Sequence, residues 1–230
     1  MALTGKAFLA IWHDIDPPMQ DEYTEWHTRE HMPERLSIPG FLLGKRLVRE
    51  DATRYRYGTI YDGHELEVFR SPAYLQRLNN PTVWSNQLQP AFRNFLRIAC
   101  ERLASSGTGD GGALVTIRLD FIEGAGEQQL RAGARRLAEV LHRVRGVCAA
   151  HIGLAQREVS STKTRETELR PGMQEKEFDA VVLVEGSELA QLQQSAQELE
   201  LLIAASDCGI GNPQTIVYRL AYQLVTQVNS

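Results

Sequence analysis

Apolar and polar residues alternate with period two over about Lys6 to Ile15, Phe41 to Arg49, Arg54 to Tyr61 and about Phe95 to Arg102. Between them the spacing changes to that of a helix with one apolar face, over about Met19 to Ser37 and Glu65 to Leu78. This predicts the order βαββαβ. The rest of the chain repeats it, with a strand over Ala113 to Phe121, a helix over Gln128 to Val144, strands near Val147 to Glu158 and Phe178 to Val184, a helix over Glu188 to Ala205 and a strand over Thr215 to Val225.

The two runs also align residue by residue. Gly5 falls on Gly111, Ala7 on Ala113, Ile11 on Ile117, Asp14 on Asp120 and Gly40 on Gly146 at one constant offset. Past one extra segment in the second run, Asp62-Gly63-His64-Glu65-Leu66 falls on Glu185-Gly186-Ser187-Glu188-Leu189, and Arg97-Ile98-Ala99 on Arg219-Leu220-Ala221. Matches in the same order imply an internal duplication. A βαββαβ unit is the split βαβ of ferredoxin-like folds, and one such unit leaves a sheet face bare. The expected fold is therefore α+β: two tandem ferredoxin-like units, 1–106 and 107–230, whose antiparallel sheets pack face to face as an α/β barrel. The Gly-rich stretch Ser105 to Gly112 reads as the link between them. The extra segment, 160–176, is polar, contains Pro171-Gly172 and has no apolar period, so it reads as a long surface loop and a candidate lid.

Composition narrows the function. With 25 basic and 29 acidic residues the formal charge is −4, and no basic stripe is present. Nucleic-acid binding is therefore not expected. No apolar run approaches the roughly 18 residues of a membrane helix, which argues against a membrane partner. Cys100, Cys148 and Cys208 are far apart and odd in number, as expected of reduced thiols in a cytoplasmic protein. Dinucleotide and phosphate-loop fingerprints are absent, as is a GxSxG nucleophile motif.

Candidate chemistry gathers in the first half. Of six histidines, His13, His27 and His31 fall in the first 31 residues, and the repeat places Leu119 opposite His13 and Leu137 opposite His31. One half has the residues of a site where the other has scaffold. His27 and His31, like Glu30 and Glu34, are spaced i, i+4 and share a helix face. Pro33 removes a backbone donor and disfavours helical geometry at Met32, which predicts a kink around His31. Leu9, Ile11 and His13 form the strand face that should pack under the helices, so His13 is expected to point toward His31. Two imidazoles in one cleft suit acid/base work, because histidine titrates near neutrality.

The run Trp26, His31-Met32-Pro33 and Ile38-Pro39-Gly40-Phe41 resembles the dimeric α/β barrel superfamily, and within it the EthD-like proteins. The resemblance covers about 20 residues at the motif level and both halves at the fold level. It implies a small-molecule cleft between sheet and helices, a homodimer in the superfamily's manner, and the helix histidine at His31 with its aromatic neighbour at Trp26. Superfamily members include cofactor-free monooxygenases, muconolactone isomerases, polyketide cyclases and, in duplicated form, haem proteins. Fold alone does not select among them.

The expected activity is a cofactor-independent acid/base reaction on an apolar or aromatic carbonyl compound: isomerisation, cyclisation, lysis or monooxygenation. His31, His13 and His27 are the candidate catalytic residues, with His27, beside Trp26, expected to be partly solvated. Trp12, Tyr23, Trp26, Tyr57, Tyr61 and Trp84 are candidates for gripping the substrate, although a tyrosine stripe over Tyr55, Tyr57, Thr59 and Tyr61 is also what a core looks like. Glu30 and Glu34 read first as a solvated face. No metal or other cofactor is expected. The rival readings are a metal site of iron, zinc or manganese on His27, His31 and Glu30, a haem oxidoreductase, and a non-catalytic small-ligand binder.

Overall fold

The computed structural model describes residues 3–160, 163–170 and 178–226. Its strands are β1 (Ala7–Ile15), β2 (Phe41–Val48), β3 (Tyr57–Gly63), β4 (Phe92–Gly107), β5 (Ala113–Phe121), β6 (Val147–Gln156), β7 (Ala180–Gly186) and β8 (Ile210–Val225). The helices are α1 (Gln20–Trp26), α2 (Met32–Leu36), α3 (Pro72–Asn79), α4 (Val83–Leu88), α5 (Glu127–His142), α6 (Arg157–Ser160), α7 (Arg165–Leu169) and α8 (Leu189–Ala204), with a π-turn over His27–His31 joining α1 to α2.

The strands close in the order β1-β3-β2-β8-β5-β7-β6-β4. Each half thereby keeps the ferredoxin-like order, β4-β1-β3-β2 and β8-β5-β7-β6, in one antiparallel barrel. The duplication extends to register: Ala7 pairs with Gly63 as Ala113 pairs with Gly186, and Phe8 with Asp62 as Leu114 with Glu185. The same irregularity recurs as well, between Phe41 and Leu43 in β2 and between Val147 and Ala149 in β6.

The compact units do not end at residue 106. One comprises 7–99, 156–160, 163–170 and 221–226, and the other 3–6, 100–155 and 178–220. The long strands β4 and β8 are each divided between the two, so Ser105 to Gly107, expected as linker, is strand. The described part of the polar loop, although it follows β6 in the chain, belongs with the first-half elements and contains α7. Ser161, Thr162 and residues 171–177, including Pro171-Gly172, lie outside the described residues.

Helix boundaries show where local chemistry overrides periodicity. The helix expected over Glu65 to Leu78 is broken, because Ser71 is extended and caps α3 through its side chain while Pro72 opens the first turn. Thr82 caps α4 in the same way, its side chain accepting from the Ser85 N–H.

Gly40 ends the turn after α2 at φ +93°, and a Cβ there would stand 2.5 Å from a Val68 methyl. Gly146 takes the equivalent conformation in the second half, at φ +84°. Gly40→Ala is expected to cost about 1–3 kcal/mol in urea denaturation, from backbone strain and crowding together. An unchanged midpoint would mean that Val68 simply moves aside.

Candidate functional site

The sheet face under the first-half helices is built by direct cross-strand pairs. Ile11 lies opposite Thr59 and His13 opposite Tyr57, with Tyr61 two residues along from Thr59. Phe92 and Phe95 of β4 border the same space. His13 points to the helix side, as its strand face predicts, and Trp12 points to the other face of β1, fully buried and away from the cleft.

The helix opposite is widened where Pro33 follows. The Met32 N–H bonds to the His27 carbonyl, five residues back, and Pro33 has no N–H to restore the tighter register. The kink expected at His31 is this π-turn. It turns both His27 and His31 inward, 3% and 8% exposed, with ring centroids 5.4 Å apart. His27 is thus buried rather than solvated, because the wide turn keeps residues four apart on the inner face.

The three histidines differ in their partners. His13 Nε2 meets the Tyr23 hydroxyl at 3.1 Å, and its ring stacks on Tyr57 with centroids 5.5 Å apart. Burial pushes its pKa down to about 3, so it is a neutral ring held by its neighbours. His31 lies against the Trp26 ring at 4.2 Å, and the Trp26 indole N–H donates to Ser85. Burial, then the positive charge of Arg35, holds His31 neutral; burial and Arg46 do the same for His27. His27 Nδ1, His31 Nδ1 and the Tyr61 hydroxyl are buried without a hydrogen-bond partner among the described residues. All three residues border one cavity of about 30 Å³.

An adjoining cavity of about 40 Å³ shares His31 and Tyr61 and is closed by residues from the polar loop. Glu166 of α7, 1% exposed, accepts from Arg35 Nη2 at 2.5 Å and from Arg170 Nη2 at 3.0 Å. The other Arg35 nitrogen, Nη1, donates to Glu34 at 2.7 Å. Arg170 Nε donates to the Gln89 side chain at 2.5 Å, and its guanidinium carbon sits 3.9 Å from the Phe95 ring centroid. Burial pushes the Arg170 pKa down to about 10, with Glu166 opposing that shift and Arg35 reinforcing it.

Sequence reasoning singles out neither Arg35, Glu166 nor Arg170 as site residues. The available signal was the loop itself, since a long polar insertion with alternating charges, Arg165-Glu166-Thr167-Glu168, can be buried only by pairing those charges. Tyr23, Trp26, Tyr57 and Tyr61 do meet around the histidines. Tyr55 leaves the stripe, with φ 56° before β3 begins. Trp84 is half-buried on α4, donating to Glu22 at 2.7 Å, and does not border either cavity.

The conditional metal set is not assembled. Glu30 accepts from Thr82 and Ser85 instead of facing the imidazoles, and no three His, Cys, Asp or Glu side chains converge as ligands among the described residues. A haem does not fit the packed cleft either. Its cavities have room for a few water molecules, far below the roughly 300 Å³ and more of a cofactor-sized pocket, and Trp26 covers a face of His31. A cavity of about 170 Å³ between α5 and α8 has no histidine in its lining.

No family model matches the chain, and no curated protein matches it. Among solved structures the chain is similar to an anthrone oxidase-like protein (TM-score 0.64, 9% identity, covering 100% of this chain and 98% of that one). It is also similar to a candidate monooxygenase from Lactobacillus acidophilus (TM-score 0.59, 6% identity, 96% of each chain). A third similar structure is the chlorite dismutase of Candidatus Nitrospira defluvii in complex with imidazole (TM-score 0.55, 8% identity, 95% and 92%). At such identities the likeness concerns fold alone, and no helix among the described residues is long and apolar enough to cross a membrane. The chain therefore shares the fold of these proteins, two ferredoxin-like units of one polypeptide whose eight strands close in a single barrel.

Proposed function

We propose that the first-half cleft is the active site of a cofactor-independent enzyme that moves a proton on a small carbonyl or hydroxyl compound. The observation that carries this reading is the set of three orphaned polar atoms, His27 Nδ1, His31 Nδ1 and the Tyr61 hydroxyl, around one cavity. Buried polar groups are normally paired, so such a set calls for a polar occupant. His31, neutral and open at Nδ1, accepts the proton. The Tyr61 hydroxyl and the Arg35 and Arg170 charges stabilise the enolate or phenolate that forms.

A low-pKa imidazole is a weak base in isolation. Here the new imidazolium and the new oxyanion arise side by side, and their attraction offsets the burial that holds His31 neutral. His13, fixed between Tyr23 and Tyr57, positions this wall and does not itself take the proton. Isomerisation, cyclisation, C–C cleavage and oxygenation all begin from such an anion, and the resemblance of the His31 segment to EthD-like proteins fits the same reading.

The test is deuterium uptake at the α-carbon of a panel of aryl ketones in D2O, followed by NMR. Uptake above buffer is expected for at least one ketone and is expected to fall at least a hundredfold in His31→Gln. Binding without exchange by any of them would make the cleft a ligand-binding site without catalysis.

A further inference from the structure

The cavities beside His31 are too small for any aryl compound while α7 is seated, so a ligand must displace one wall. Sheet and helix are each held by buried apolar clusters. α7 is not. Thr164 and Glu166 are the buried residues of the segment 163–170, neither of them apolar, and Leu169 is only half-buried. The segment is seated by Glu166 on Arg35, by Arg170 on Gln89 and the Phe95 ring, and by the Arg165 N–H on the Asn79 side chain at 3.2 Å, while Glu166 also pairs with Arg170 four residues on within the segment. Buried ion pairs contribute little net stability, because desolvation offsets most of the attraction. Exchanging one carboxylate for another at the same two guanidinia therefore changes little in buried charge.

The same geometry specifies what would make that exchange favourable. A ligand carboxylate at Arg35 and Arg170 would carry the remainder of its molecule toward His31 and Tyr61, which border both cavities and lack hydrogen-bond partners at Nδ1 and the hydroxyl. We propose that the cleft takes a small hydroxy or oxo acid, whose carboxylate replaces that of Glu166 between Arg35 and Arg170 as α7 unwinds and lifts away, while Arg170, the residue after it, stays on Gln89 and the Phe95 ring. This rests on the reading of the cleft as the active site and names its substrate class. Glu166 then acts as a built-in competitor that keeps the two guanidinia paired while no acid is bound. Two parallel N–H···O contacts from a guanidinium suit a carboxylate, and its amide cannot satisfy both guanidinia.

The probes are salicylate and phenylpyruvate, each against its neutral amide, measured by titration calorimetry on the full chain. At least one acid is expected to bind at least tenfold more tightly than its amide. Glu166→Gln is expected to tighten acid binding a further fivefold or more, and Arg170→Met to erase the preference. Equal affinity of acid and amide for both pairs, or no change in Glu166→Gln, would overturn the proposal. Should Glu166→Gln fail to fold, hydrogen exchange on the unmodified protein decides: acid binding is expected to speed exchange over 164–170, and slower exchange there would overturn the displacement. Binding needs no turnover, so an acid that binds and is never exchanged at carbon removes the catalytic reading and leaves the carboxylate clamp. Exchange on neutral ketones that neither acid inhibits does the reverse.

Discussion

Acidification from pH 7.5 to 5 is expected to destabilise the fold by about 2 kcal/mol through His13 alone, with further losses in the same direction from His27 and His31. All three rings are held neutral by burial, and His13 titrates near 3 in the folded protein against an ordinary value near 6.5. Between those two values the unfolded chain binds a proton that the folded protein refuses. The stability is thus fully present above about pH 6.5 and is lost as the pH falls, at up to about 1.4 kcal/mol per pH unit for each histidine. Glu34, whose carboxyl is pushed upward by burial, works in the opposite sense. Urea midpoints at pH 7.5, 6 and 5 measure the slope, and His13→Gln should flatten it by one proton. A midpoint that stays constant over this range would show that the rings are hydrated and free to charge.

Arg35→Met is expected to destabilise the protein by about 3–5 kcal/mol, because it removes one partner from a buried charge cluster and leaves the others. Arg35 is 2% exposed, reaches both Glu34 and Glu166, and also lies over the Tyr74 ring at 5.8 Å. Without it the buried Glu166 keeps only Arg170. Replacing both ends, as Arg35→Met with Glu166→Leu, is expected to recover only part of the loss, since Arg170 then keeps Gln89 but loses its carboxylate. Chemical denaturation of the two single variants and the double closes the cycle. A single variant within about 0.5 kcal/mol of the parent would mean that α7 undocks and hydrates Glu166 at little cost.

Acid sensitivity and the charge cluster were legible in the chain to different degrees. The histidines at 13, 27 and 31 stood out because the other half carries Leu119 and Leu137 at two of those positions, and Pro33 marked where the helix would open. Burial of His27 was not legible, since helical spacing cannot distinguish an α-turn from a π-turn, and that difference decides which side of the helix a residue faces. Trp12 and Trp84 carry the same aromatic signal as Trp26, yet one lies on the other face of its strand and the other is held at Glu22.

What the sequence by itself determined is the repeated order of elements, the strand faces and the place of the kink, because alternation, helical period and proline act over a few neighbouring residues. Only the tertiary structure decided that residues after β6 return to the first-half cleft, and that Glu166 stands between Arg35 and Arg170 there. Periodicity records which residues want to leave water and is silent on polar segments, whose burial depends on finding charges far away in the chain.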